Sequence, residues 1–352
     1  MKNILKEKDI QSFFVFGNSL IFLQNKNIFQ DGKLILIDIE SFGVKNEFAF
    51  FHKQENENLV SIQLNQKNEL IKHNYPIDAE ICFENQAFLG LNYDRLTKTY
   101  EYFNYNLLDQ KIKKINNINS KSIHHKVCLP YIFYKTKNQS DIGNFHLPTE
   151  TTLWQYAIAD LGAEKVSKIL GVFGQTLVVV GYIREYTYML LGLDVQSGQV
   201  LWKHEEIFAA ELHGKVHPVK LSCIYADSGT GKVILFEAGV YSEFEGSSGN
   251  ILKWINIFKS PLSFGKYKMD AYAFDICDAD EEYIYFRTSV PGYGMYSGAG
   301  IFNRKTDQLE FLDVILSENG RPISIGPQKV KATKEKFYVL DNQNTLHIYD
   351  RE

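Results

Sequence analysis

The chain has 352 residues, 45% hydrophobic and 23% charged, a globular composition that excludes a disordered or fibrous chain. Its net charge is −4, so no bulk charge draws it toward nucleic acid or an anionic membrane. The length is too great for one ordinary core and suits two domains or a closed repeat, and 21 Tyr and 25 Phe favour strands.

In chain order, the first nine residues carry Lys2, Lys6, Glu7, Lys8 and Asp9, with no apolar segment of signal-peptide length after them. No run approaches the roughly 18 apolar residues of a spanning helix, so a cytoplasmic protein is expected. Cys82, Cys128, Cys223 and Cys277 lie far apart in apolar strand-like runs, as buried reduced thiols would. NILK at 3–6 recurs at 250–253, where it follows a turn. Residues 3–8 therefore read as an outer strand whose partners lie elsewhere.

A first four-stranded unit is expected over 10–73. Within it KLILIDIESFG (33–43) leaves open either an extra hairpin or a further unit. A second spans 78–116, with the loop NYDRLTKTY (92–100) and KIKK at 111–114, where lysines would protect a sheet edge. His124 and His125 precede the third, 126–160; on an extended chain they point to opposite faces and make a poor metal pair.

The fourth unit, 166–205, is the clearest. SKILGVFGQTLVVVGYIREYTYMLLGLDVQSGQVLWKHE (167–205) reads as four strands with turns at Gly174-Gln175 and at Asp194–Gly198, where Asp and Ser bond the turn backbone and Gly supplies positive φ. Its last hairpin lies ungapped over FEGSSGNILKW (244–254), FHLPTETTLWQY (145–156) and FNRKTDQLEF (302–311), and more weakly over IQLNQKNELIK (62–72), YNLLDQKIKK (105–114) and IYDRE. Trp154 and Trp202 then occupy one repeat position, and Trp254 is offset by one. The marker positions 63, 106, 146, 194, 245, 303 and 350 are about 48 residues apart on average, the period of a β-propeller. The expectation is an all-β, seven-bladed β-propeller with four-stranded antiparallel blades over 10–73, 78–116, 126–160, 166–205, 218–257, 270–315 and 326–350. The N-terminal strand 3–8 would close the ring.

LLGLDVQSGQVLWKHE (190–205) resembles the PQQ-like repeat, whose blades end in an Asp-x-x-Ser/Thr-Gly turn followed by a strand with Trp; WD40-like propellers are the wider comparison. The quinone dehydrogenases of that family bind their cofactor with adjacent cysteines, a stacking Trp and calcium. No two cysteines are adjacent here, so the resemblance implies the fold and no cofactor.

Three further segments invite a chemical reading. ELHGKVHPVK (211–220) places His213 and His217 four apart, but Gly214 and Pro218 oppose a helix and favour a junction loop. DSGTGKVILF (227–236) lacks the first Gly and the Ser/Thr of a phosphate loop and reads as a hairpin turn. DICDADEEY (275–283) is acidic but lacks the spacing of a calcium loop and reads as an acidic turn.

What remains is loops rich in aromatics: 92–100, 134–144, 181–188 and 289–300. Tyr and Arg are frequent interface anchors, so Tyr93, Arg95, Tyr182, Arg184, Tyr186, Tyr293, Met295 and Tyr296 are the candidate partner-binding residues. The same aromatics could instead plug the channel or cover blade edges. The expected function is a non-enzymatic, monomeric, cytoplasmic scaffold that binds a protein partner on its loop face, such as a bacterial immunity or adaptor protein, with no nucleic-acid or membrane partner. The alternative is a small-molecule or carbohydrate binder, or an enzyme, with its site in the central channel.

Overall fold

The computed structural model describes residues 3–16, 18–39, 41–45, 48–55, 58–64, 70–75, 82–84, 87–94, 99–106, 112–115, 122–128, 130–136, 138–184, 187–207, 211–212, 215–216, 219–237, 239–257, 262–269, 274–290 and 292–351, with side chains between 41 and 112 only at Tyr102 and Phe103. The described residues are all-β, in eight four-stranded antiparallel sheets and two short hairpins. Among them no helix is long and apolar enough to cross a membrane.

Seven blades were expected, and the span 10–73 accounts for the eighth sheet. Its strands Ile10–Phe16, Ser19–Gln24, Asn27–Gln30 and Lys33–Leu36 form the first sheet. Ser41–Lys45, Phe48–Glu55, Asn58–Leu64 and Leu70–Tyr75 form the second. Of the two alternatives for KLILIDIESFG, an extra hairpin or a further unit, the strands form a further four-stranded sheet. The first half of the segment ends one sheet and its second half begins another. The tight turns of the first sheet hide it in sequence: one uses Asn25 and Lys26 at positive φ with no Gly, and the other is the two-residue Asp31-Gly32, shorter than the repeat marker.

The third to seventh sheets occupy 82–115, 122–157, 165–207, 224–256 and 274–314. The eighth takes Ile325–Ala332, Lys336–Asp341 and Leu346–Asp350, and its outer strand is Asn3–Glu7 from the other end of the chain. Asn3 lies opposite Tyr349, and Lys6 opposite His347.

The chain packs as two compact units. One comprises residues 1–40, 208–244 and 251–352; the other comprises 41–207 and 245–250. In the first, consecutive sheets share apolar layers. Phe236, Tyr241, Phe274, Phe286 and Phe302 join the sixth and seventh sheets. Ile301, Phe311, Ile325, Phe337 and Tyr349 join the seventh and eighth. Ile10, Phe13, Leu20, Leu340 and Ile348 join the eighth and first. In the second unit Phe133, Ile142, Trp154, Leu177, Val179 and Leu191 join the fourth and fifth. The seventh and eighth sheets therefore bury both faces, and the central strand Thr176–Arg184 of the fifth is a nearly continuous apolar run buried along most of its length.

The marker turn of the sequence is a built object. Asp194 accepts hydrogen bonds from the backbone of Gln196 (3.1 Å) and Ser197 (2.7 Å) and from the Ser197 hydroxyl (2.8 Å). These bonds, the Ser197 backbone first, hold its carboxyl below the usual range. The preceding sheet docks on the turn. The Trp154 indole donates to the Val195 carbonyl at 2.9 Å, and the ring lies so close to Gly198 (φ +71°) that a Cβ there would sit 2.7 Å from it. Trp202 repeats the contact one sheet later, donating to the Ser247 carbonyl at 3.1 Å against Gly249 (φ +73°).

Candidate interaction face

The hairpin between Tyr283–Val290 and Gly294–Asn303 carries three of the eight candidate residues. Tyr296 is half-buried with φ +51°, a costly conformation for a bulky residue. Two contacts impose it. The Tyr296 backbone N–H donates to the Ser289 hydroxyl at 3.1 Å, and the Ser297 hydroxyl donates to the Tyr293 carbonyl at 3.0 Å. The Tyr296 ring lies 4.1 Å from the Arg287 guanidinium carbon. Arg287 is itself locked: its Nε donates to Asp275 Oδ2 at 2.9 Å and its Nη1 to the Ile325 carbonyl at 2.6 Å.

Tyr293 belongs to a second group. It meets Tyr267 edge to face at 6.1 Å, and the Lys266 ammonium stands 5.2 Å from the Tyr267 ring centre and 5.9 Å from that of Tyr293. The hairpin Leu262–Phe264 with Tyr267–Met269 brings Lys266 and Tyr267 there. Lys266 is exposed and has no carboxylate within ion-pair distance among the described residues. Burial raises the Tyr267 and Tyr296 hydroxyls, which stay protonated. The arrangement thus offers half-exposed rings, neutral hydroxyls and an exposed ammonium held over two of the rings, a composition suited to binding.

In the other unit, Tyr182 is half-buried and packs edge to face on Tyr188 at 5.7 Å, and Arg184 is exposed at the end of its strand. Tyr93 and Met295 lie on the strands Ala87–Asp94 and Gly294–Asn303, where only their backbone is described. Arg95 and Tyr186 lie outside the described residues, as do His213 and His217. Sequence reading missed Lys266, Tyr267 and Arg287. The available signal was the basic-aromatic triplet Lys266-Tyr267-Lys268, which falls between two blades and has no marker.

The other singled-out segments serve the scaffold. Asp227 to Lys232 is a hairpin turn in which Asp227 accepts from the Thr230 backbone at 3.2 Å. The acidic segment is not simply a solvated turn, because its three aspartates are each engaged. Asp275 is buried against Arg287, Asp278 pairs with Lys331 at 2.9 Å, and Asp280 accepts from the Glu282 and Tyr283 backbone. Cys223 and Cys277 are buried unpaired thiols; burial lifts Cys223 well above its ordinary range and Cys277 to about 11, so neither is a thiolate near neutral pH.

No family model matches the chain, and no curated protein matches it. The chain is similar in structure to Sqt1 of Saccharomyces cerevisiae, a WD40 β-propeller protein, with a TM-score of 0.58 and 9% identity over 98% of this chain and 96% of that one. A structure of KlHsv2 with loop 6CD replaced by a Gly-Ser linker matches with a TM-score of 0.49 and 11% identity, over 88% of this chain and 98% of that one. With no matching family model, the resemblance to the PQQ-like repeat rests on the residues at 190–205 and 244–254 alone. A likeness to Sqt1 along nearly the whole of both chains, at so low an identity, speaks for shared architecture, and that architecture is a WD40-like β-propeller.

Proposed function

We propose that this chain is a non-enzymatic scaffold of the cytoplasm that binds a protein partner on the face carrying Tyr293, Met295 and Tyr296. In this reading the eight sheets are the blades of one ring, closed by the strand Asn3–Glu7. The observation that carries it is Tyr296: a bulky residue held at positive φ by Ser289 and stacked on a locked Arg287. A hairpin paid for in backbone strain and held rigid before any partner arrives loses little entropy on association. Lys266 and Tyr267 extend the same surface, and Tyr182, Arg184, Tyr186, Tyr93 and Arg95 are its further candidates. WD40-like neighbours typically bind proteins, which agrees with this reading.

The test is affinity capture of the tagged chain from source-cell lysate, with mass spectrometry and size-exclusion chromatography. The expected result is one stoichiometric protein partner, retained by wild type and lost from a folded Tyr293→Ala/Tyr296→Ala variant. A partner held equally by both would displace the site from this hairpin. A small molecule in native mass spectrometry, with no protein partner, would sink the scaffold reading.

A further inference from the structure

The eighth sheet borders a cleft of about 410 Å³ that the scaffold reading does not use. Lys6 of the outer strand and Lys8 just beyond its end line the cleft, together with Glu318 and Asn319 of a turn and with Asp341 and His347. The turn is rigid: the Ser317 backbone donates to the Arg321 carbonyl at 2.8 Å, Gly320 donates back to Ser317 at 2.9 Å, and Leu316 bridges to Pro322. Asp341 and His347 are 1% and 3% exposed and joined at 2.8 Å. Asp341 also accepts from the backbone of Gln343 (2.8 Å) and Thr345 (2.9 Å). Burial favours its neutral form, but these bonds, that of His347 first, outweigh burial and keep it ionised. Its charge is thus spoken for.

Lys6 lies on the strand and Lys8 just beyond its end, and both line the cleft, so two ammonium groups border it. Lys6 has no carboxylate within ion-pair distance among the described residues. Lys8 meets Glu318 at 3.7 Å, with the two side chains 73% and 92% exposed. Such an open pair contributes at most about 1 kcal/mol and is easily displaced. Asp9, which also lines the cleft, offsets one lysine. Glu318 is therefore the counter-charge that a better-placed anion would replace.

We propose that this cleft is a binding site for a small organic anion, a carboxylate or phosphate ester, gripped by Lys6 and Lys8 in place of Glu318. Its volume is that of a small-molecule site.

Isothermal titration calorimetry with citrate and with glucose 6-phosphate, at ionic strength matched with sodium chloride and with glucose as the neutral control, tests this. The expected result is saturable one-to-one binding of at least one anion and none of glucose. Lys6→Gln/Lys8→Gln should weaken it about tenfold or more, and Glu318→Gln should tighten it about threefold by removing the resident competitor. Lys6 lies on a structural strand, so circular dichroism must show that variant folded; Glu318→Gln lies in an exposed turn and stands as the independent arm. Absence of saturable binding to both anions by folded wild type overturns the proposal. So does equal binding of glucose, or an affinity that Glu318→Gln leaves unchanged or weakens.

Discussion

Two kinds of joint tie an outer strand to the turn of the next sheet, and the register makes them comparable. Trp154 lies opposite Asn144, Trp202 opposite Gly192, Lys113 opposite Asn104 and Lys253 opposite Glu243, each two residues before its own marker. The two tryptophans meet Gly198 and Gly249. The two lysines meet acids at the corresponding turn position: Lys113 pairs with Glu150 (φ +50°) and Lys253 with Asp307 (φ +60°) at 2.7 Å. A ring stacked on that residue leaves no room for a Cβ, so tryptophan requires glycine there. Where an acid takes the left-handed conformation instead, a long cation reaches it from the side. Lys253 keeps the other half of the joint too, donating to the Arg304 carbonyl at 2.6 Å where Trp154 and Trp202 donate through the indole. Trp254, one residue out of register, is left 47% exposed.

The lysine joint at 253 is backed by a buried ion network that the tryptophan joints lack. Arg304, whose side chain is 2% exposed, pairs with Asp227 at 2.6 Å and Glu243 at 2.7 Å; Lys232 reaches Glu243 at 2.7 Å, and the Tyr241 hydroxyl donates to Glu243. Removing the one cation that holds two buried carboxylates is the largest break available. Arg304→Ala should cost about 3–5 kcal/mol, because Asp227 would be left an uncompensated buried charge and Glu243 would keep only Lys232. Urea denaturation against wild type measures it; a loss below about 1 kcal/mol would mean that water reaches these carboxylates.

Acid attacks the same network selectively. Burial pushes the Glu243 carboxyl up, but bonds from Arg304, Lys232 and Tyr241 outweigh it and bring it from 4.5 to about 2. The folded state therefore binds this proton less readily than the unfolded chain. The resulting stability, on the order of 3 kcal/mol, is fully present above pH 4.5 and is lost as the pH falls from there toward 2. Glu243→Gln should flatten that part of the stability profile; an unchanged slope would assign acid sensitivity to other carboxylates.

These contrasts also show how far the sequence could be read. The four strands at 165–207, the Asp194 turn and the single-residue offset of Trp254 were legible because they are local: a period, a turn residue and a spacing carry them. The lysine joints were not, since His146 and Asn303 blur the markers and nothing local pairs Lys113 with Glu150 or Lys253 with Asp307. The ion network unites residues 61 and 77 positions apart, which no period reveals. In the candidate face, the aromatic loop 289–300 was legible by composition, but its fixation by Arg287 and Lys266 comes from other strands. The split of 10–73 was hidden by two tight turns, Asn25-Lys26 without a Gly and Asp31-Gly32, both shorter than the marker that was sought.

A smaller perturbation tests the tryptophan side. Gly198→Ala places a methyl group against the Trp154 ring at a φ that alanine avoids. The expected cost is about 1–3 kcal/mol, with the Trp154 fluorescence environment changed as the ring is pushed off the turn. The same substitution at Gly231, also at positive φ but with nothing within 4 Å of an added Cβ, isolates the backbone part at about 1 kcal/mol. Equal costs at the two sites would mean that the ring yields freely.

The finest test converts one joint into the other. Lys253→Trp alone should destabilise, because the indole would meet Asp307, whose Cβ occupies the place that Gly198 and Gly249 leave open. Asp307→Gly alone removes the carboxylate that Lys253 binds but relieves a non-glycine residue at φ +60°. Together they rebuild the geometry of Trp202 on Gly249, with the indole free to donate to the Arg304 carbonyl as Lys253 now does. A double-mutant cycle by urea denaturation should give a favourable coupling of about 1 kcal/mol between the two substitutions. Additivity would show that the tryptophan joint depends on its wider sheet and not on the residue it faces. A favourable coupling would establish that one turn residue chooses which joint a blade can use.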